Sequence, residues 1–268
     1  MKNEFCRISI LVPTLGQRPE EFLRLLESIE KQNYLYKEVV VVSQKNHDIV
    51  NEIIDKFPNL VCFHIKTDEL GLSKARNLGI KYCKGDIIML SDDDCWYEEN
   101  ALKNINCQFK NNIDILLTQI YDKQNEKYYK NYNKERKFIR KKMELMSRSS
   151  IEIAFRRDIE KAYFDENFGL GAQFVCGEEI DFLLSNFKGN NILYDPEITV
   201  YHPRKNIKNK GQIVAKGALY AKHYSVFLCF AVLLRDLIVK HENNFIEFMN
   251  GYKELRKLEY EKSININS

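Results

Sequence analysis

Short apolar runs alternate with amphipathic helical segments through residues 8–90 of the sequence. A continuous apolar run of this kind is typical of a strand that is covered on both faces. Between the first two runs, residues 20–32 carry phenylalanine, leucine and isoleucine at helical spacing. The runs are ISILV (8–12), EVVVVS (38–43), LVCFHI (60–65) and DIIML (86–90). Their alternation predicts a Rossmann-like α/β fold, whose mostly parallel central sheet is flanked by helices on both faces.

The pattern changes after about residue 112. Residues 121–142 are polar and rich in Tyr, Lys and Asn, which favours a solvated loop and helix over a binding segment. Further along, EIDFLLSNF indicates a helix, and NILYDP and ITVYHP indicate two short strands. We expect one domain over residues 1–205, with halves of about 1–112 and 113–205. A basic, partly apolar helical tail is expected over 206–268.

Three aspartates, Asp92, Asp93 and Asp94, directly follow the fourth apolar run. Ligands of open α/β sheets bind beyond the carboxyl ends of the strands, which is where these side chains should lie. Neighbouring carboxylates repel one another unless a positive charge lies among them, and oxygen ligands suit Mg²⁺ or Mn²⁺. The triplet therefore indicates a metal–diphosphate site. The alternative is a solvated acidic turn that caps a helix beginning near Tyr97.

Several motifs in a fixed order extend this interpretation. The chain contains ISILVPT, EFLRLLESIEKQNY, EVVVVS, GLSKARNLGIKYCKGDIIMLSDDD, and GEEIDF followed by HP. In this order and spacing they resemble a family 2 glycosyltransferase of the GT-A fold, over roughly residues 8–205. The resemblance also implies roles for individual residues.

The triplet matches the family's Asp-x-Asp motif. The resemblance implies that Asp94 ligates a Mn²⁺ or Mg²⁺ ion bridging the two phosphates of the donor. It further implies that Asp92 contacts the ribose and helps to hold the water shell of the metal, with Asp93 at the variable position. A histidine at the end of a later strand, here His202, can complete the metal shell, since imidazole suits Mn²⁺ better than Mg²⁺. A packed or surface histidine is the alternative.

Other matching positions concern the nucleotide. The resemblance implies that Pro13 and Thr14 line the nucleoside and that Arg76 contacts the base or the diphosphate. Arg76 could instead snorkel from a helix, and Thr14 could instead cap the next turn. After the second strand the family usually has Asp-Asp-Gly-Ser, whereas this chain has SQKN at 43–46. Ser43 or Gln44 would then pair with the base without a charge.

GEEIDF, at residues 177–182, resembles the segment that supplies the catalytic base of the family. A carboxylate there takes the proton of the acceptor hydroxyl as its oxygen attacks the anomeric carbon. Glu179 is the implied base, with Glu178 and Asp181 as alternatives. The alternative is that these acidic residues only stabilise the first turn of a helix. Gly177 would let the backbone approach the sugar closely.

Taken together, the resemblance implies an inverting hexosyl- or N-acetylhexosaminyltransferase. The donor would be a nucleotide-diphosphate sugar, a UDP-sugar in the first instance, held by the half at about 1–112. The acceptor would be a glycan or lipid-linked oligosaccharide of surface polysaccharide synthesis, held by the half at about 113–205. A metal-dependent nucleotidyltransferase and a non-catalytic nucleotide-sugar-binding module remain as alternatives.

Charge is uneven along the chain, although the net value is only +3. Residues 203–268 hold 12 Lys and Arg against 6 Asp and Glu, and the remainder holds 29 against 32. We expect no nucleic-acid partner, but an anionic surface near the tail.

The apolar run VFLCFAVLL is too short to span a bilayer, and the N-terminus does not resemble a signal peptide. A cytoplasmic protein is expected, with its tail either resting on the inner face of the membrane or packed on the catalytic domain.

Overall fold

The structure is a computed structural model that describes residues 5–204, 210–239 and 244–267. Within these ranges, ten strands form one sheet with helices on both faces. The strands are β1 (Ile8–Thr14), β2 (Lys37–Ser43), β3 (Cys62–Lys66), β4 (Ile87–Leu90), β5 (Trp96–Tyr97), β6 (Ile115–Asp122), β7 (Lys127–Tyr128), β8 (Lys137–Phe138), β9 (Ile153–Arg156) and β10 (Ile192–Tyr201). The helices are α1 (Pro19–Glu30), α2 (His47–Ile54), α3 (Leu72–Ile80), α4 (Ala101–Phe109), α5 (Glu178–Ser185), α6 (Lys210–His223), α7 (Val226–Val239) and α8 (Phe245–Asn267).

The strand order is β3-β2-β1-β4-β9-β6-β10-β5, with β7 added to β6 and β8 added to β10. Strands β1 to β4 are parallel. Strand β9 then runs antiparallel between β4 and β6, and β10 lies parallel to β6. The α/β prediction is confirmed, but the sheet is mixed rather than mostly parallel because β9 enters it in the opposite direction.

Two apolar cores lie on opposite faces of the sheet. One core contains buried side chains of α1, α2 and α4, and the other contains those of α3 and α5. In α1 the residues at helical spacing are all buried, as the sequence predicts; they are Phe22, Leu25, Leu26 and Ile29. Burial of one such side chain stabilises the fold by about 1.5–3 kcal/mol. The helices are therefore held against the sheet by their predicted apolar faces.

Several local predictions are wrong. No helix begins near Tyr97, because Trp96 and Tyr97 form β5 and α4 starts at Ala101. The helix predicted within residues 121–142 is replaced by β7, β8 and the start of a 3₁₀ turn. NILYDP and ITVYHP belong to a single strand, β10, which has a bulge between Tyr194 and Ile198. A bulge lets one long strand follow the twist of the sheet and look like two in sequence.

The tail helices pack on the body of the protein. Ala215, Ala218 and Leu219 of α6 join a core with Phe168 and Phe174. Helix α8 crosses α6 so closely that a Cβ atom at position 217 would lie 2.0 Å from a backbone oxygen of α8. None of the described helices combines the length and apolarity that a bilayer span requires. The predicted boundary at residues 205–206 and part of the basic stretch after it lie outside the described residues.

Candidate functional site

The ends of β1, β2 and β4 surround a cavity of about 410 Å³, which we call the strand-end cavity. Six of the residues singled out from the sequence line it: Pro13, Thr14, Gln44, Asp92, Asp94 and His202. Asp93 lines it as well. These side chains come from three strand ends and from the residue after β10, so the topology of the sheet brings them together.

Basic side chains of the protein offset part of the repulsion among the three aspartates. The Arg18 guanidinium lies 2.9 Å from the Asp93 carboxylate and 2.6 Å from that of Asp94. The Thr14 hydroxyl donates a 2.6 Å hydrogen bond to Asp93. Burial raises the pKa of Asp93, and these partners oppose the shift. Asp93 is thus held by protein groups, while Asp92 keeps about a third of its side chain exposed.

Arg76 lies beneath the cavity rather than in it. Its side chain is fully buried, and its two terminal nitrogens contact Glu178 at 2.8 Å and Asp92 at 3.1 Å. Burial raises the pKa of Asp92, and Arg76 is the main group that opposes the shift. Arg76 therefore lines neither the strand-end cavity nor its neighbour, and its burial excludes a snorkelling side chain. Arg76 instead ties the end of β4 to the first turn of α5.

Loss of this buried cation should destabilise the protein. We expect Arg76→Ala to lower the free energy of unfolding by about 3–5 kcal/mol, because it leaves Asp92 and Glu178 close together without a counter-charge. Urea unfolding measures the change, and Arg256→Ala, which removes an arginine from an ion pair exposed on both sides, serves as the control. A loss below about 1 kcal/mol, the range of a surface ion pair, would show that the buried link contributes little.

Asp94 and His202 form a pair at the mouth of the cavity. His202 Nε2 lies 3.1 Å from Asp94 Oδ1, and both side chains are about nine-tenths buried. Tyr129 contacts the histidine ring edge-to-face at 5.6 Å between ring centroids. In the described part of the chain, no three His, Cys, Asp or Glu side chains are grouped so as to hold a metal ion. The adjacent carboxylate and imidazole are nevertheless donors of the types that suit Mn²⁺.

A second cavity of about 220 Å³ adjoins the first, and we call it the helix-start cavity. Asp92 and His202 line both cavities, and Glu178 and Glu179 of α5 line the second. Glu179 is half-buried. Enclosure by protein, reinforced by the nearby Glu178 carboxylate, raises the pKa of Glu179 well above its usual range. A carboxylate with a raised pKa inside a cleft is the kind of group that acts in acid–base chemistry.

The other two acidic candidates are engaged elsewhere. Glu178 is paired with Arg76. Asp181 contacts Lys222 Nζ at 2.9 Å and His223 Nε2 at 2.7 Å, and it lines neither cavity. Among the residues that the structure describes, Glu179 alone of the three candidates lacks an ion-pair partner. Asp181 is therefore an anchor between α5 and α6, and the prediction that it could serve as an alternative base is not supported.

Two further predictions on the nucleotide side concern Ser43 and Gln44. The Ser43 hydroxyl is fully buried and lies 2.6 Å from His47 Nδ1 and 2.8 Å from His64 Nε2, so Ser43 does not face the cavity. Gln44 reaches the cavity, but its amide donates hydrogen bonds to the carbonyl oxygens of Glu69 and Gly71. This amide nitrogen holds the 69–71 loop in place.

Gly177 has a role in the packing of α5 against α6. Its φ of +92° lies in the left-handed region, which favours glycine. A Cβ atom there would lie 2.8 Å from the Leu219 side chain of α6. The side of Gly177 on which a Cβ atom would lie therefore faces a neighbouring helix.

Sequence reasoning missed residues that contribute to both cavities. No motif marks Arg18, although its charge in the loop after the first strand is a visible signal. Tyr129 and Leu170 line the helix-start cavity, and each lies in a segment without a recognisable motif. Leu170 also lines the strand-end cavity. These loop residues are brought to the site only by long-range folding, which local patterns do not report.

Comparison with known proteins is consistent with this geometry. A glucosyl-dolichyl phosphate glucuronosyltransferase of Haloferax volcanii is 25% identical over 215 residues, covering 73% of this chain and 69% of the relative. The structure of S. aureus TarS 1-349 in complex with UDP-GlcNAc has a TM-score of 0.65 and 18% identity, covering 87% of this chain and 73% of that one. A mannosyltransferase of Pyrobaculum calidifontis, in complex with GDP-Man and Mn²⁺, has a TM-score of 0.59 and 16% identity, covering 87% and 65%.

These structural neighbours have the GT-A fold, which confirms the predicted fold class. The chain spans only 44% of a longer TarS structure. The family model for glycosyl transferase family 2 matches residues 9–168, which is more than half of the chain. The match decides against a nucleotidyltransferase. The chain belongs to glycosyl transferase family 2 and is a glycosyltransferase.

Proposed function

We propose that the protein is an inverting glycosyltransferase that moves a sugar from a nucleoside-diphosphate donor, a UDP-sugar, to a glycan or lipid-linked acceptor. One observation carries the proposal. The carboxylates at the end of β4 and the Glu179 carboxylate line two adjoining cavities that share Asp92 and His202. The TarS structure with UDP-GlcNAc supports the choice of a UDP-sugar. The Haloferax volcanii relative, named for a dolichyl phosphate substrate, supports a lipid-linked acceptor.

In this proposal the strand-end cavity holds the donor. Pro13 and Thr14 line the nucleoside, and Gln44 lies at the edge of the base position. Asp94 and His202, assisted by Asp92, would hold Mn²⁺ or Mg²⁺ together with the diphosphate oxygens and water. When bound, such an ion neutralises the charge that develops on the leaving diphosphate. The Mn²⁺ in the Pyrobaculum calidifontis structure supports a metal requirement.

Arg18 adds a cation of the protein itself. Its side chain is nearly half exposed while its guanidinium pairs with Asp93 and Asp94. An exposed guanidinium at this point can donate to phosphate oxygens in a bidentate manner. Arg18 therefore helps to bind the diphosphate and takes over part of the role that the resemblance gave to Arg76.

Glu179 acts from the helix-start cavity. Its carboxylate accepts the proton of the acceptor hydroxyl while the hydroxyl oxygen attacks the anomeric carbon. The bond between that carbon and the diphosphate oxygen breaks as the new glycosidic bond forms, and the electron pair leaves with the diphosphate. A single displacement of this kind inverts the anomeric centre. The donor thus belongs to the half at about 1–112, and the acceptor to the half at about 113–205.

Donor hydrolysis tests the proposal without a known acceptor. UDP-GlcNAc, UDP-glucose, UDP-glucuronate and GDP-mannose are incubated with the full chain and Mn²⁺, and release of the free sugar is measured. We expect slow hydrolysis of at least one UDP-sugar, abolished by chelation and restored by added Mn²⁺. Hydrolysis of GDP-mannose alone would contradict the assignment of uridine. Failure of UDP to bind in the presence of Mn²⁺, together with no hydrolysis, would overturn the proposed function.

The proposal includes contact with a membrane surface through α7. This helix exposes apolar side chains along one side, among them Phe227 at 83%, Leu234 at 57% and Ile238 at 61%. Lys142 lies beside the start of this helix, 5.6 Å from the Tyr224 ring centroid, and burial together with the nearby Lys188 lowers the pKa of Lys142. Lys142 donates a 3.2 Å hydrogen bond to the His223 carbonyl at the end of α6, which places the basic group beside α7. An apolar face beside basic residues suits a bilayer that contains anionic lipids.

Vesicle sedimentation tests the membrane contact. We expect the protein to sediment with vesicles of phosphatidylglycerol and phosphatidylcholine, and Phe227→Asp/Leu234→Asp to reduce the bound fraction at least tenfold. The exposed Leu35→Asp substitution provides a control on a distant apolar side chain. A wild-type protein that stays in the supernatant, or that dimerises through α7 in light scattering, would show that the face has another role.

A further inference from the structure

A row of four aromatic side chains crosses one end of the sheet. Trp96 of β5 faces Tyr201 of β10, Tyr201 faces Tyr121 of β6, and Tyr121 faces Tyr128 of β7. Residues that face one another across neighbouring strands project to the same side of a sheet. The distances between successive ring centroids are 5.7, 6.5 and 5.5 Å. The four rings, which we call the aromatic row, therefore form one continuous strip.

The aromatic row is open to solvent. Tyr128 is 51% exposed, and the other three side chains are partly exposed. Arg24 lies 3.9 Å from the Trp96 ring centroid, which fixes the orientation of the indole. Cross-strand aromatic pairs stabilise a sheet by about 0.2–1 kcal/mol each, but this effect does not require a strip that stays accessible. Accessible, preorganised rings are suited to bind a ligand.

A polar groove of about 570 Å³ runs beside the row, and Tyr128 and Tyr201 line it. Its other side chains include Glu98, Glu197, Lys103 and Asn104. Lys123 lies 4.9 Å from the Tyr201 ring centroid. With Lys103 it gives two ammonium groups, which match the two carboxylates of the groove in number. Charges of both signs in equal number do not favour a polyanion, whose binding relies on an excess of cations. They do provide hydrogen-bond donors and acceptors for a neutral ligand with many hydroxyl groups.

We infer that the aromatic row and its groove bind a neutral carbohydrate segment. Pyranose rings present C–H groups on one face, which pack on aromatic rings, and hydroxyl groups at their edges, which pair with carboxylate, amide and ammonium groups. The ligand class rests on the proposed function, because a glycan acceptor needs a place for the part of the chain that does not react.

The row also shares two chain segments with the helix-start cavity. Tyr201 directly precedes His202, and Tyr128 directly precedes Tyr129. Tyr129 and His202 line the helix-start cavity together with Glu179. Consecutive side chains of an extended strand project to opposite faces, so a glycan on the aromatic row would have to pass around the end of these strands for its terminus to enter this cavity. The row would hold the acceptor while Glu179 activates its terminal hydroxyl group.

Binding to immobilised neutral oligosaccharides tests the inference without donor, metal or turnover. The probes are hexasaccharides of β-1,4-linked glucose, α-1,4-linked glucose and β-1,4-linked N-acetylglucosamine, and a sulphated polysaccharide serves as the polyanion. We expect the full chain to bind at least one neutral probe, and Tyr128→Ala and Asn104→Ala each to weaken that binding at least fivefold. Tyr128→Phe, which keeps the ring, should stay within about twofold of the wild type. Tyr128 is exposed and Asn104 is half-buried, so thermal unfolding of each variant checks that it remains folded at the assay temperature.

Three results would overturn the inference. They are absence of binding to every neutral probe, equal binding by Tyr128→Ala and the wild type, and preference for the sulphated polymer. Donor hydrolysis by the wild-type protein, measured on the same preparation, tests the proposed function separately. An active enzyme that binds none of the probes would thus remove the aromatic row as an acceptor site and leave the assignment of the catalytic groups standing.

Discussion

Replacing Asp94 by alanine should lower the rate of sugar transfer or donor hydrolysis by about 10²–10³-fold or more. The change removes the carboxylate that would hold the metal beside His202, and with it the neutralisation of charge on the leaving diphosphate. It also leaves Arg18 with one carboxylate partner fewer at the cavity. Steady-state hydrolysis of the preferred UDP-sugar, measured over a range of Mn²⁺ concentrations, gives the effect.

Two matched variants separate the metal from the shape of the site. Asp94→Asn keeps the size of the side chain and removes its charge, so it should resemble Asp94→Ala in turnover. Asp158→Asn changes a carboxylate that lines neither cavity, and it should retain wild-type turnover. If Asp94→Ala kept more than a tenth of the wild-type rate at saturating Mn²⁺, the assignment of Asp94 to the metal would be wrong.

Replacing Glu179 by glutamine should lower turnover by about 10²–10⁴-fold, the usual contribution of a positioned base. Binding of UDP should persist, because Glu179 lines the helix-start cavity and not the strand-end cavity. Asp181→Asn is the informative comparison. It breaks the contacts with Lys222 and His223, so it should lower the melting temperature, while the turnover of the folded protein stays within tenfold of the wild type.

The pH dependence of the turnover rate should also report on Glu179. A base must be deprotonated to act, and burial together with Glu178 raises the pKa of Glu179 well above the usual glutamate range. The rate should therefore fall as pH drops through this raised pKa, which places the acid limb of the profile above that of an ordinary glutamate. The residual activity of Glu179→Gln should lack this limb. A wild-type profile that stays flat down to the ordinary glutamate range would contradict the role of Glu179.

Stability should respond to the same group in the opposite sense. Because the folded state binds the Glu179 proton more tightly than the unfolded chain does, this residue contributes most to stability below its unfolded pKa. Its contribution is lost as pH rises from there through the raised folded pKa. Glu179→Gln should therefore gain stability over the wild type at neutral pH and lose the advantage in acid. Denaturant titrations at several pH values measure this crossover, and the absence of any pH-dependent difference would argue against the pKa shift.

Much of the fold could be predicted from local patterns. The buried strands of the first half are recognisable as apolar runs, and the inner face of α1 follows from the helical spacing of its apolar residues. Strand β9 could not be predicted in the same way, because its direction depends on where residues 153–156 meet β4 and β6. The continuity of β10 could not be predicted either, because Pro196 and Glu197 at its bulge look in sequence like a break between two strands.

The candidate site, too, could be predicted only in part from the sequence. The aspartate triplet and Glu179 could be located from sequence, because strand ends and helix starts have recognisable motifs. The partners of Arg76 could not, since Glu178 lies 102 positions further along the chain. The sequence leaves Asp181 a plausible base, and only its contacts with α6 argue against that role. It likewise leaves Ser43 a plausible contact to the nucleotide base, although two histidines hold its hydroxyl in the fold.

A crystal structure of the full chain grown with UDP and Mn²⁺ gives the most direct test of the metal–diphosphate site. The anomalous signal of manganese locates the ion independently of the nucleotide. We predict one peak within coordination distance of Asp94, His202 and the two phosphates, with the uridine in the strand-end cavity beside Pro13 and Thr14. Nucleotide bound in this cavity with no ion near Asp94, or manganese bound only at the protein surface, would contradict the account.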